Sequence, residues 1–202
     1  EHELLMLLGA PLLVLAEPLA VLLWAFPASA RAAIGRVSAR TPVRPAWRWA
    51  SGPVTATLLQ STALWLWHVP ALFDHALASE GWHVAQHLSF IVTALLFWTA
   101  MLGRRGQRSG QVAARGVAAL CLFATSVVSG ALGALMAVSE SPWYEGYARL
   151  GLAPFGLTSV EDQQLAGLLM WVPGGLVHAL AALVVVRTLL VRPRELEVAD
   201  AA

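Results

Sequence analysis

The strongest constraint on this fold is a series of apolar stretches that are each long enough to cross a lipid bilayer. A transmembrane helix needs about 20 consecutive, mostly apolar residues. Five stretches reach that length, at about residues 4–26, 53–73, 82–102, 113–138 and 163–190. The first of them is interrupted by Pro11 and by Glu17-Pro18. We therefore predict an all-α integral membrane protein in which about five transmembrane helices form one bundle, a single polytopic domain over residues 1–202.

The beginning of the chain adds one expectation. Apolar sequence starts within the first residues, without the basic segment that opens a signal peptide. We therefore expect a processed chain, or a fragment of a longer protein that lacks N-terminal helices.

The composition excludes several other classes of protein. Charged residues make up 12% of the chain, against about 25% in soluble domains, so there are too few to cover a globule in water. The net charge of +1 provides no basic footprint for a nucleic acid. The single cysteine, Cys121, excludes an internal disulfide and a cysteine-rich metal site. No P-loop, serine-nucleophile or zinc-protease motif is present, so we do not expect an enzyme.

The arginines predict how the bundle is oriented. Twelve of the 13 basic residues, all of them arginine, lie in the connections 27–52 and 103–115 or near the end of the chain. Because basic loops stay in the cytoplasm, we expect the N-terminus outside and the C-terminus in the cytoplasm. Pro42 and Pro45 interrupt the connection 27–52, which we therefore interpret as a basic loop rather than one interfacial helix.

Histidines gather at the predicted outer face. His2 opens the first stretch, His68 lies near the outer end of the second, and His83 and His87 lie in the first turns of the third. Ionisable groups in a bilayer are costly and therefore indicate function. His83 and His87 are four residues apart, the spacing at which two imidazoles on one helix face hold a metal ion. We predict a metal site at this pair, completed by His68 or His2. The alternative is that these histidines are polar caps that reach water.

Three methionines extend this donor set. Met6, Met136 and Met170 all fall toward the predicted outer side of their stretches, where they offer a second, softer position. Imidazole and thioether ligands without thiolate suit copper and are poor ligands for magnesium or calcium. The predicted metal is therefore copper, as Cu(I). The alternative is that these methionines only fill gaps in the packing.

Other polar and small residues are interpreted as packing features. A face of small residues in the fourth stretch predicts close contact with another helix; its members are Ser126, Ser129, Gly130 and Gly133. Gln60, Thr125 and His178 are expected to form hydrogen bonds between helices. Pro173 and the two glycines after it are expected to kink or unwind the last helix.

Several blocks of sequence form longer motifs. They are residues 1–6, 10–15, 65–73, 83–90, 129–135, 142–144 and 161–175. These blocks resemble the CtaG-like cytochrome c oxidase assembly family, and the resemblance covers nearly the whole chain.

This resemblance implies a function that the composition and spacing do not. It implies a multi-pass protein of the bacterial inner (cytoplasmic) membrane that is needed to build active haem–copper oxidase. Its implied role is delivery of copper. The expected partners are a cytochrome c oxidase subunit, a periplasmic copper chaperone, and the lipid bilayer around the helices. The family pattern places functional residues at His2, His68, His83, His87, Asp162 and Gln163.

Two alternatives stay open at the level of sequence. In the first, the chain is a haem-binding membrane protein in which His68 and His87 face each other across the bundle as axial ligands. In the second, it is a membrane chaperone without metal, which holds an oxidase subunit through the small-residue face of the fourth stretch.

Overall fold

The structure, a computed structural model, describes residues 2–40, 43–103, 111–151 and 156–190. Within these ranges every regular element is a helix, which confirms the predicted all-α fold. In chain order the elements are α1 (His2–Leu4), a π-helical segment (Leu5–Gly9), α2 (Ala10–Ala16), α3 (Pro18–Trp24), α4 (Ala28–Arg40), α5 (Val43–Ala50), α6 (Pro53–Trp67), α7 (Pro70–Ala78), α8 (Glu80–Leu102), α9 (Gln111–Val138), α10 (Glu145–Leu150) and α11 (Ser159–Leu190).

Three of the described helices are long and apolar enough to cross a membrane. They are α8, residues Val112–Val138 of α9, and α11. Their surfaces carry large apolar side chains such as Leu120 and Leu183, which are 68% and 64% exposed. Extensive apolar surface of this kind is typical of contact with lipid. The chain is therefore a membrane protein, while the count of five spans and the orientation of the termini stay predictions.

The first two predicted stretches do not form continuous helices. Glu17 separates α2 from α3 in a left-handed conformation, with φ 44° and ψ 48°. The residue before a proline is disfavoured in the right-handed helical region, so Pro18 ends one helix and begins the next. In the second stretch, α6 stops at Trp67 and α7 starts at Pro70. Residues 4–26 and 53–73 are therefore each divided among shorter helices, and whether each stretch crosses the membrane stays a prediction.

The connection 27–52 was expected to be a loop, and this expectation is also wrong for its described residues. It forms α4 and α5, and only Pro42 and the residue before it lie outside the described ranges. Alanine is the strongest helix former, and α4 contains five alanines among its 13 residues. Pro45 lies in the first turn of α5, where the missing N–H costs nothing because that turn has no intrahelical acceptor.

Helices α9 and α11 pack with their backbones in contact. A methyl group added to Gly133 would lie 2.7 Å from the Gly167 carbonyl oxygen and 2.9 Å from the Trp171 nitrogen. Small residues allow this approach, so the predicted close contact of the small-residue face is confirmed. Helix α11 stays helical through Pro173, so it does not unwind there, and the alternative of a kink stays a prediction.

The N-terminal helices pack against α8 through a buried tryptophan. Trp98 is 1% exposed and its indole N–H donates to the Met6 carbonyl oxygen at 2.8 Å. Met6 belongs to the π-helical segment, a geometry that is rare in proteins and frequent at functional sites. This contact places Met6 against the centre of the bundle. We call residues 2–16 the N-terminal segment.

Candidate functional site

A cavity of about 290 Å³ opens between α6, α9 and α11, at the end of the bundle where α6 ends and α11 begins. We call it the end cavity. Four of the predicted site residues contribute to its wall: His68, Met136, Asp162 and Gln163. The fold therefore brings an imidazole and a thioether from distant parts of the sequence to one open cavity.

A backbone carbonyl orients His68 at the end of α6. The Nδ1 atom of His68 lies 2.7 Å from the Leu64 carbonyl oxygen, one turn earlier. Because a carbonyl oxygen only accepts, Nδ1 carries the hydrogen and the neutral ring keeps its lone pair on Nε2. Metal-binding histidines usually donate from their other ring nitrogen in this way, so the orientation of His68 is compatible with a ligand at Nε2.

Hydrogen bonds join Asp162 and Gln163 to the connection between α9 and α11. The Tyr147 hydroxyl donates to Asp162 Oδ2 at 3.1 Å. Gln163 Oε1 accepts from the Trp143 backbone N–H at 2.7 Å, and its Nε2 donates to the Ser141 carbonyl at 3.3 Å. These hydrogen bonds therefore hold the side chains of Asp162 and Gln163 in place in the wall of the end cavity.

Both tyrosines of this region keep their protons well into alkaline solution. Burial raises the pKa of Tyr144, and the nearby Asp74 carboxylate raises it further. Burial and the hydrogen bond to Asp162 raise the pKa of Tyr147. The Tyr144 hydroxyl donates to the His68 carbonyl at 3.3 Å, so both hydroxyls act as donors at the end cavity.

His83 and His87 meet on one face of α8, as their spacing predicted. Their Nε2 atoms are 2.8 Å apart, so one ring donates a hydrogen bond to the other, and their ring centroids are 4.5 Å apart. We call them the histidine pair. The pair lies at the same end of the bundle as His68, since the rings of Trp67 and Trp82 are in edge contact at 6.2 Å.

A second, much smaller cavity lies deeper in the bundle. Its volume is about 20 Å³, and it is enclosed by the N-terminal segment, α6, α9 and α11. We call it the core cavity. Met6, Met170 and His178 line it together with Glu3 and Gln60. The structure therefore separates two of the predicted methionines, Met6 and Met170, from Met136, which lines the end cavity.

The family model for the cytochrome c oxidase caa3 assembly factor (Caa3_CtaG) matches residues 1–192. The chain belongs to this family. No curated protein and no solved structure gave a match. The match confirms the resemblance seen in the sequence blocks, and it makes this caa3 assembly factor a membrane-embedded protein that serves cytochrome c oxidase.

The predicted ligands of this assembly factor fall at more than one position. The histidine pair does not line the end cavity with His68. Among the residues that the structure describes, no three His, Cys, Asp or Glu side chains are arranged to hold a metal ion. His2 begins α1, but its side chain lies outside the described part of the chain, so its role stays a prediction.

The sequence did not predict the core cavity, and it predicted the wrong hydrogen-bond partners for two residues that line it, Thr125 and His178. His178 Nδ1 donates to the Gly174 carbonyl at 2.8 Å, and the Thr125 hydroxyl donates to the Cys121 carbonyl at 2.9 Å. Each bond lies within one helix, so the predicted bonds between helices are wrong for both. Short polar side chains in helices commonly bond the carbonyl one turn earlier. The sequence feature that could have indicated the core cavity was an isolated polar residue in each of several apolar stretches.

Proposed function

We propose that this assembly factor binds Cu(I) at the histidine pair and passes it toward the oxidase that it helps to build. One observation carries the proposal, the convergence of two Nε2 atoms to 2.8 Å on a long helix. Metal–nitrogen bonds of about 2.0 Å at a tetrahedral angle place two ligand nitrogens about 3.3 Å apart. The pair therefore needs to open by only about half an ångström, which side-chain rotation supplies.

The donors at this end of the bundle support copper over harder metals. The donors are the two imidazoles of the histidine pair and, in the end cavity, the His68 imidazole and the Met136 thioether. The chain's one thiol, Cys121, is buried in α9 and lines neither cavity. Nitrogen and thioether ligands favour Cu(I) and disfavour the oxygen-seeking cations.

Exposure of the pair suits exchange of the ion with other proteins. His83 is exposed on α8, so a donor in solution can reach it without opening the bundle. If this end faces the periplasm, as the arginines predict, the donor is a periplasmic copper chaperone. The recipient is an oxidase subunit, which contacts the assembly factor through its lipid-facing apolar surface.

Removal of both imidazoles tests the proposal. We expect His83→Ala/His87→Ala to weaken Cu(I) binding roughly tenfold or more, because the main ligands are lost. The measurement is an anaerobic Cu(I) titration of purified protein in detergent against a chromophoric chelator. Copper binding equal to that of the unchanged chain contradicts the assignment of the pair.

His75→Ala is the matched control for this experiment. His75 is an exposed histidine at the same end of the bundle, and its Nδ1 donates to the Ala71 carbonyl at 2.6 Å. It has no second imidazole one turn away, so its loss should leave Cu(I) binding unchanged. A visible spectrum with a haem band in washed protein would instead favour the haem-binding alternative.

A further inference from the structure

The core cavity combines soft ligands with strong burial. Met6 and Met170 are each 4% exposed and His178 is 2% exposed, yet all three line one small space. A volume of about 20 Å³ admits a single water molecule or a single ion. Two methionines and one histidine, together with Glu3, Gln60 and three hydroxyl residues, therefore line a space of ionic size inside the bundle.

The imidazole of His178 has a ring nitrogen without a partner. Its Nδ1 atom donates to the Gly174 carbonyl, so the lone pair of the neutral ring is on Nε2. Among the described residues, this buried Nε2 atom has no hydrogen-bond partner. Buried polar atoms are nearly always paired, so one without a partner needs an explanation. A bound ion at the cavity supplies one.

Helix α11 holds the two ligands on one face with open space between them. Met170, Gly174 and His178 are spaced by four residues, which places them one above another along the helix. Gly174 lacks a side chain at the centre of this row. A methyl group added there would reach to 3.5 Å from Leu7 Cδ1 and 3.8 Å from Glu3 Oε2. The glycine therefore keeps the space beside Met170 and His178 open.

One tryptophan positions the ligands from both sides of the cavity. The Trp98 ring lies 5.6 Å from the His178 ring at an interplanar angle of 14°, so the two rings are stacked. The indole N–H of the same residue holds the Met6 carbonyl. Trp98 therefore fixes the ring of His178 and the backbone of Met6 relative to each other.

We propose that the core cavity is a second Cu(I) site, in which Met6, Met170 and the Nε2 atom of His178 are the ligands. Thioether and imidazole together select Cu(I) among the metals available to a protein. Glu3 lines the same cavity and supplies a carboxylate beside the cation. This proposal rests on the proposed function, since it assumes that the chain handles copper.

The core cavity lies on the same interhelical groove as the end cavity. Leu64 lines the core cavity, and its carbonyl orients His68 at the end cavity. On α11, Ala166 lines the end cavity and Met170, one turn later, lines the core cavity. An ion bound at the end of the bundle therefore has a second set of ligands one turn further in.

Conservative methionine variants test this site. We expect Met6→Leu/Met170→Leu to lose about one equivalent of bound Cu(I), because leucine keeps the volume but has no sulfur. Copper-edge X-ray absorption should show more sulfur neighbours per copper in the copper-loaded unchanged chain and in His83→Ala/His87→Ala than in the methionine variant. Met101→Leu is the matched control, since Met101 is equally buried, at 6% exposed, and lines neither cavity. Equal thermal unfolding of the variants verifies folding.

The outcomes separate this proposal from the proposed function. The core site is overturned if the copper has only nitrogen neighbours and the Cu(I) titration is unchanged in Met6→Leu/Met170→Leu. That result leaves the proposed site at the histidine pair unaffected and indicates that the core cavity holds water. Loss of copper only in the methionine variant supports the core site and overturns the pair. A chain that binds no Cu(I) overturns both.

Discussion

At the scale of single residues, the helix backbone sets the chemistry of the histidines. His68, His75 and His178 each have Nδ1 bonded to the carbonyl four residues earlier. The lone pair of each neutral ring therefore lies on Nε2, the atom that points away from its own helix turn. The sequence predicted which histidines share a helix face, because a spacing of four residues determines that. It did not predict the tautomers, which depend on side-chain rotamers.

The two tyrosines predict how stability changes in alkaline solution. Both have a pKa in the folded chain above that of the unfolded chain, so folding retains their protons. Their contribution is complete below about pH 10 and is lost as the pH rises through the folded pKa. We expect the thermal unfolding midpoint to fall as the pH rises above about 10, and to fall less in Tyr144→Phe. Ultraviolet absorbance of tyrosinate follows the titration. An equal fall in Tyr144→Phe contradicts this assignment.

At the scale of helices, apolar length predicted some elements well and others poorly. The stretches that became α8, α9 and α11 contain a single proline, Pro173, and α11 accommodates it within the helix. The interruption at Glu17 was visible in the sequence, whereas the break at Pro70 was missed, because an apolar stretch does not reveal whether a proline ends a helix or is accommodated within it. The core cavity was missed for a different reason. The residues that line it come from elements far apart in sequence, and only packing brings them together.

The backbone contact between α9 and α11 predicts a stability effect of one methyl group. Gly133→Ala places its methyl 2.7 Å from the Gly167 carbonyl, so the helices must separate. Overpacking of this kind costs about 1–3 kcal/mol, which lowers the unfolding midpoint by a few degrees. The measurement is thermal unfolding in detergent.

Gly116→Ala is the matched control for that variant. Gly116 lies in the same helix, and a methyl group added there meets nothing within 4 Å. It should leave the midpoint unchanged or raise it, because alanine favours a helix over glycine. Equal midpoints for the two alanine variants would show that the backbone contact does not limit stability.

At the scale of the whole molecule, the orientation of the bundle determines which side of the membrane the histidine pair faces. The arginine distribution predicts that the histidine pair faces the periplasm. In a Cys121→Ala background, we expect Glu140→Cys to react with a membrane-impermeant maleimide in intact cells. Arg36→Cys should react only after the membrane is permeabilised. Both positions are exposed in the structure, so accessibility alone does not distinguish them. The opposite labelling pattern overturns the predicted orientation.

The hydrogen bond between Trp98 and Met6 couples the occupancy of the core cavity to the packing of residues 2–16 against α8. Met6 reaches the cavity on a segment that precedes the long helices, whereas Met170 and His178 belong to one of them. A ligand held by both parts strengthens their association, and by reciprocity their separation weakens its hold on the ligand. If the core cavity holds Cu(I) as proposed, release of the ion would require residues 2–16 to separate from the long helices, while the rest of the bundle stays closed.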